Sequence, residues 1–462
     1  MTDHIQTDYL VVGSGAMGMA FVDTLMDEMP DVDIVIVDRC AKPGGHWNSA
    51  YPFVKLHQPS AFYGVNSREL GRGLKDEIGL NKGLSDLATG AEIRAYFDAV
   101  MREKFLSSGR VRSFPMSNYE GDGLFSHRLS GQKTQVSATK IVDCTHLTTR
   151  VPSTHTPNFS VEDDVQFMPL NDLPLIMDAP KGFTIIGGGK TGIDAVLWLL
   201  ETGVPAQHIR WIKSRDAWLL DRKHTQPFPE YFEDTIGNQA NMFEAIAGAS
   251  SKSDMFDRLE SCGYFLRLDP TVRPTMFHGA TISQAELEQL RRVKDVVRKG
   301  RVAAINGQNI TFQNGRTEPT LGHVLVDCSA SAVDNFTIKP VFQGNLITPQ
   351  TTRAYQPVFS ASMIAWVEAN IEGETAKNSL TAVVPLPDDL DIFVRMTAAN
   401  MMNQALWSQN KALRNWMRGQ RLDGFSKLVN GVKPHETAKR EILKRLRQSA
   451  VPAMAKLQSF LN

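Results

Sequence analysis

The feature that most constrains this chain is a glycine-rich turn used twice. The stretch "YLVVGSGAMGMAF" (9–21) runs from apolar strand to helix through Gly13-x-Gly15-x-x-Gly18. The stretch "GFTIIGGGKTGIDAVLWLLETG" (182–203) repeats that order with Gly187, Gly189 and Gly192. In a strand–turn–helix unit the first glycine allows the tight turn, and the second lets backbone approach a pyrophosphate. The third lets helix and strand pack closely, and the helix N-terminus supplies N–H donors. Gly189-Lys190-Thr191 invites comparison with a nucleoside triphosphate loop. That loop needs a glycine five positions earlier, where Thr184 stands in an apolar strand, so it is excluded.

The strand after each turn separates the two units. "VDIVIVDR" (32–39) ends in Asp38 and Arg39. Asp38 follows the first glycine by about 20–25 residues, where a carboxylate binds a ribose 2′-OH. "HIRWIKSRDAW" (208–218) ends instead in Lys213, Ser214 and Arg215. A carboxylate repels a 2′-phosphate, whereas lysine and arginine attract it. The first unit therefore predicts a nucleotide with a free 2′-OH and the second predicts NADP(H), most simply FAD and NADPH. A protein holding both moves a hydride between them. The ordinary alternatives are a glycine turn that only packs helix on sheet, and a solvated strand end at Lys213 and Arg215.

The chain of 462 residues is long enough for two or three domains, and its 50 basic and 50 acidic residues balance. No global basic field exists to hold nucleic acid or an anionic membrane. Cys40, Cys144, Cys262 and Cys328 form no C-x-x-C pair, so neither a dithiol centre nor a metal site is signalled. The start "MTDHIQTDYLVV" lacks a signal-peptide pattern, and no long apolar run offers a membrane span. A cytoplasmic protein is expected.

After Asp38 the chain reads "RCAKPGGHWNSAYPFVKLHQPSAFYG" (39–64). Gly44-Gly45-x-Trp47 resembles the G-G-x-W segment of flavin-containing and Baeyer–Villiger monooxygenases. Lys55-Leu56-His57-x-Pro59 is similar to the K-L-H-x-P segment of plant auxin-synthesis flavin monooxygenases. Ser214, Arg215 and Trp218 resemble the S-R-x-x-x-W stretch of animal flavin-containing monooxygenases. The resemblance spans roughly the first 225 residues and the strands around 300–330, and identifies a divergent class B flavoprotein monooxygenase. It implies FAD on Gly13, Gly15, Gly18, Asp38 and Arg39, with Gly45 and Trp47 along it. It implies NADPH on Gly187, Gly189, Gly192, Ser214 and Arg215, assisted by Lys213. The implied reaction passes a hydride to FAD, forms a C4a-peroxyflavin with O2 and inserts one oxygen atom into a small organic substrate. His57 is the catalytic candidate at the flavin edge, as hydrogen-bond partner or proton shuttle; the alternative is a structural histidine.

Three departures are visible. The fingerprint F-x-G-x-x-x-H is missing, and "HTPNFSVEDDVQFMPLNDLP" (155–174) stands between the loops. The A-T-G segments read "VDCTHL" (142–147) and "VDCSAS" (326–331), without glycine. His57 replaces the family's Asn or Asp. An NAD(P)H oxidoreductase that does not oxygenate therefore stays open, as does a non-catalytic NADPH-sensing flavoprotein.

The expected fold is α/β, with two Rossmann-like dinucleotide-binding domains, a helical insertion and a helical C-terminal tail. The expected divisions are an FAD domain at 1–180 and 325–385, an NADPH domain at 181–324 with a helical cap at about 223–295, and a helical region at 386–462. The cap's aromatic and Met residues either line a substrate cavity or form the cap's own core. The tail, interrupted at Pro452, is expected to pack on the body or at a homodimer contact rather than on a membrane.

Overall fold

The computed structural model describes residues 3–331, 333 and 335–461. Its frame is two sheets, the first mixed, with a parallel centre and antiparallel pairs at its margins, and the second wholly parallel. In the first, the strands run in the order Phe342–Gln343, Leu346–Ile347, Lys133–Asp143, Asp3–Val12, Ile34–Val37 and Val111–Phe114. Val11 is in register with Ile36 on one side and Val142 on the other, so the central strand is apolar throughout its buried half. That strand is longer than its apolar run. Its first residues lie at the surface and pair with 134–138, outside the core that sequence patterning detects.

The second sheet runs Asp295–Val297, Ile209–Ile212, Phe183–Ile186, Val324–Asp327 and Phe167–Pro169, all parallel. It takes one strand from before residue 181 and one that straddles 324/325, so the chain crosses between sheets at about 144–166 and 328–341. A central strand such as Phe183–Ile186 needs a partner on each side; Ile209–Ile212 supplies one and Val324–Asp327 the other, which in turn is flanked by Phe167–Pro169.

The helix Ala16–Glu28 packs against the helix Pro357–Asn370. Thr24 Oγ1 lies 2.6 Å from Ser362 Oγ, and Asn370 donates to Glu28 at 3.1 Å, so the two helices run parallel. Their N-termini therefore lie at the same end of the first sheet. Tyr9, Lys140 and Lys377 all donate to the buried Glu368 and fix the far end.

The insertion is not purely helical. Beside the helices Asn238–Ala247, Lys252–Ser261 and Gln284–Leu290 it contains the strands Phe265–Leu266 and Met276–Ile282, which flank Ala217–Asp221 in a three-stranded sheet. Met276–Ile282 is buried except at His278, and Trp218 stacks with Phe265 at 5.5 Å between centroids. Phe256 and Phe277 complete the cluster with Phe393 of the C-terminal region, so these aromatics form a core that the cap shares with the C-terminal helices. The C-terminal region comprises the helices Leu390–Gln409, Lys411–Gly419, Phe425–Asn430 and Thr437–Leu461. The last continues through Pro452. Pro452 is exposed, so the carbonyl that loses its partner can be solvated.

Candidate cofactor and active site

The two glycine turns have the same geometry. Gly13 has φ +98° and its N–H donates to Val37 O at 2.8 Å; Gly187 has φ +137° and donates to Ile212 O at 3.0 Å. A Cβ on Gly18 would lie 2.0 Å from Gly13 O, and one on Gly192 would lie 2.1 Å from Gly187 O. Only glycine permits these helix–turn contacts. Gly15 and Gly189 cap the two helices, and neither helix has a side-chain cap, so their first N–H groups remain available to an anion.

The V-D-C segments close each unit identically. Asp143 Oδ1 accepts from Thr145 N and Oγ1 at 2.9 and 2.6 Å; Asp327 Oδ1 accepts from Ser329 N and Oγ at 2.9 and 2.6 Å. Cys144 N donates to Val12 O and Cys328 N to Ile186 O. Each cysteine thus packs against the first glycine of its own turn. Burial pushes both thiols well up, so they are packing residues rather than nucleophiles.

The strand ends that follow the two glycine turns differ in charge and burial. Asp38 is buried; its Oδ2 accepts from Ser14 N at 2.6 Å and Ser14 Oγ at 2.8 Å, and its Oδ1 accepts from Cys40 N at 2.7 Å. Arg39 beside it is exposed. Gly44 N donates to Ser14 O at 2.9 Å, and a Cβ on Gly45 would come within 3.0 Å of Gly15 Cα, so the Gly-Gly segment seats directly on the first turn. At the second edge Ser214 and Arg215 are exposed, and Arg215 makes no hydrogen bond or ion pair among the described residues. Lys213 turns inward instead. It donates to Asp216 at 3.0 Å, lies 4.7 Å from the Trp211 ring centroid and is only 3% exposed. Burial outweighs the pull of Asp216 and lowers its pKa. The acid three residues on draws Lys213 away from the edge, which leaves Arg215 as the cation there.

Trp47 is buried and donates to Tyr63 Oη at 2.8 Å. Tyr51 donates to Asp194 at 2.5 Å, and Asp194 also pairs with Lys190 at the start of the second glycine helix. His57 sits where this loop meets the cap. Thr281 N donates to His57 Nδ1 at 3.4 Å, and the almost fully buried Arg222 donates to His57 O at 3.1 Å, to Asn81, to Thr281 O and to Glu286. Since Nδ1 accepts, the ring proton lies on Nε2. Burial, then the charges of Lys190 and Arg222, push the His57 pKa down to about 3. At neutral pH the ring is uncharged, with its proton on Nε2.

One cluster escapes the sequence reading. The segment 348–356 leading into the helix Pro357–Asn370 is polar yet largely buried. Among the described residues, Thr351 Oγ1, Thr352 Oγ1 and Arg353 Nε have no hydrogen-bond partner, and Tyr355 holds φ +62°. Unpaired buried polar atoms are costly and call for an explanation such as a ligand. Because the two helices are parallel, this cluster lies at the same end of the first sheet as Gly15. The glycine cradles, free helix N-termini and unpaired hydroxyls fit the polar parts of a dinucleotide. Thr351 also lines a cavity of about 20 Å³ with Leu147, Phe336 and Val384. That is room for about one water, so a ring bound there would displace neighbouring side chains. The only sequence signal is a polar run just before a Pro-initiated helix.

No family model matches the chain. It is 44% identical to the uncharacterized protein Rv2000 of Mycobacterium tuberculosis over 427 residues, covering 92% of this chain and 79% of that one. The probable FAD-binding monooxygenase AlmA of an Acinetobacter species is 25% identical over 224 residues, covering 46% of this chain and 42% of that one. Among solved structures, the polycyclic ketone monooxygenase of the fungus Thermothelomyces thermophila aligns with a TM-score of 0.50 at 14% identity, covering 100% of this chain and 88% of that one. The two sheets with their twin glycine turns thus share the fold of that ketone monooxygenase. By sequence, the chain belongs to the family of the mycobacterial protein Rv2000.

Proposed function

We propose that this chain is an NADPH-dependent FAD monooxygenase that inserts one atom of O2 into a small organic substrate. The observation that carries the reading is the opposite charge of two otherwise identical units. Asp38 stands buried at the first ribose edge, and the unpaired Arg215 stands exposed at the second. FAD is assigned to the first sheet, built from 1–180 and about 325–385, and NADPH to the second, built mainly from 181–324 under the cap at about 223–295 and completed by Phe167–Pro169 and Val324–Asp327. When bound, NADPH supplies a hydride and FAD accepts it and activates O2.

The chain's own residues bind, orient and shield. The N–H groups at Gly15 and Gly189 face pyrophosphates, and Asp38 receives ribose hydroxyls with Ser14 holding its carboxylate. Ser214 and Arg215 receive the 2′-phosphate. Trp47, fixed by Tyr63, walls the first site. His57 offers Nε2–H as a neutral donor where both domains meet, and Thr351 and Thr352 offer hydroxyls at the first site's far end. Lys190, Asp194 and Tyr51 tie the two domains across the gap.

A competing reading, an oxidoreductase without oxygenation, is favoured by the missing fingerprint histidine between the loops. Labelled O2 separates the two. Incorporation of one labelled atom into product supports the monooxygenase, and NADPH consumption with label found only in water or peroxide supports the alternative.

A further inference from the structure

The charge of this chain is divided unevenly. Residues 410–462 hold 12 Lys and Arg against 3 Asp and Glu, a net of +9, so the remaining residues carry −9. All three acids are already engaged: Asp423 is buried against Arg353, Glu436 pairs with Lys439, and Glu441 pairs with Lys444. The helix Thr437–Leu461 sorts its cations onto two faces. Inward, Arg445 binds Glu244 and Asn241, Lys439 lies over the Phe232 ring, and Leu443, Ala453 and Leu457 are buried against the body. Outward, Arg440, Lys444 and Arg447 are exposed at helical spacing, and the same stripe continues through exposed Val451, Ala455 and Gln458. Arg447 has no hydrogen bond or ion pair among the described residues, and Val451 is 77% exposed.

We propose that this outward stripe docks the protein on an anionic lipid surface. Three cations at positions 440, 444 and 447 meet headgroup phosphates, and Val451 enters the boundary beneath them. A cationic row continued by exposed apolar side chains on one helix face matches an interfacial helix. A nucleic acid partner would recruit the cations without using Val451. The helix lies on the surface and does not cross it, since no helix among the described residues is long and apolar enough to span a membrane. The inference is independent of the proposed reaction, because none of these residues touches the nucleotide turns.

The test is sedimentation of the full-length protein with phosphatidylcholine vesicles, with and without phosphatidylglycerol. The expected result is binding only to the anionic vesicles, weakening as salt rises. R440E/K444E/R447E should reduce the partition coefficient by about 100-fold or more, with flavin content and NADPH oxidation unchanged. V451S, which keeps every charge, should weaken vesicle binding without altering retention on heparin. Should the triple variant fold poorly, R447E alone gives the same comparison on a smaller scale. Equal binding to neutral and anionic vesicles, or undiminished binding by the charge-reversed variants, overturns the proposal. Tight binding to duplex DNA without vesicle binding overturns it in favour of nucleic acid.

Discussion

Arg215 and Lys213 are two residues apart, carry the same charge and do different work. Lys213 is committed to Asp216 and the Trp211 face, whereas Arg215 reaches solvent beside the second turn. Arg215→Ala should therefore weaken NADPH by about 10–100-fold, the scale of one charge-assisted phosphate contact, and leave NADH almost unchanged. Stopped-flow reduction with both nucleotides measures it, and equal losses would remove the assignment. Lys213→Ala should instead lower the melting temperature, because it removes a buried side chain packed on Trp211 and leaves Asp216 only Arg298 as a close cation. His57 permits a second prediction at this scale. With its pKa near 3 it stays neutral from pH 6 to 9, so His57→Asn should alter rate without altering the shape of the pH–rate profile over that range. A lost ionisation near pH 6–7 would show that the ring does exchange a proton.

The glycine units were legible at the level of elements because sterics write them directly into sequence. A Cβ at Gly18 or Gly192 meets a carbonyl oxygen at about 2 Å, so no other residue serves. Gly18→Ala should accordingly yield little soluble holoprotein, whereas Gly189→Ala, with nothing within 4 Å, should fold and lose nucleotide affinity. Flavin occupancy and NADPH titration separate the two. The strand Met276–Ile282 was hidden because its partner Ala217–Asp221 lies more than fifty residues earlier and the intervening chain is mostly helical, broken by the short strand Phe265–Leu266. The cluster at Thr351 and Thr352 was hidden because its meaning depends on two helices that pair across 338 residues. Thr352→Val makes that cluster testable. Removing an unpaired buried hydroxyl should leave the cofactor-free protein as stable or up to ~1 kcal/mol more stable. It should weaken FAD if the hydroxyl serves the cofactor. Calorimetry and flavin titration read both, and unchanged FAD affinity would return Thr352 to a packing role.

For the whole molecule, the sequence reading of two dinucleotide units with a cap and helical tail matches the architecture, while the sharing of strands across 180/181 and 324/325 emerges only in three dimensions. Two partly buried histidines also set an acid limit on the fold. His46 and His57 have folded pKa values pushed down to about 4 and 3 by burial. A histidine held neutral binds fewer protons folded than unfolded. Stability is therefore full above pH 6.5 and falls as pH drops toward those values, by up to ~1.4 kcal/mol per pH unit per histidine. Thermal unfolding across pH 4–8 should show this slope, reduced in His57→Asn.

The most direct test of the central claim is an anaerobic absorbance titration of the purified protein with NADPH, repeated with NADH. Two dinucleotide sites of opposite ribose selectivity predict flavin bands that bleach with one equivalent of NADPH and far more weakly with NADH, then return on admission of O2. A protein that holds no flavin even after reconstitution, or whose flavin is reduced equally by both nucleotides, would contradict it.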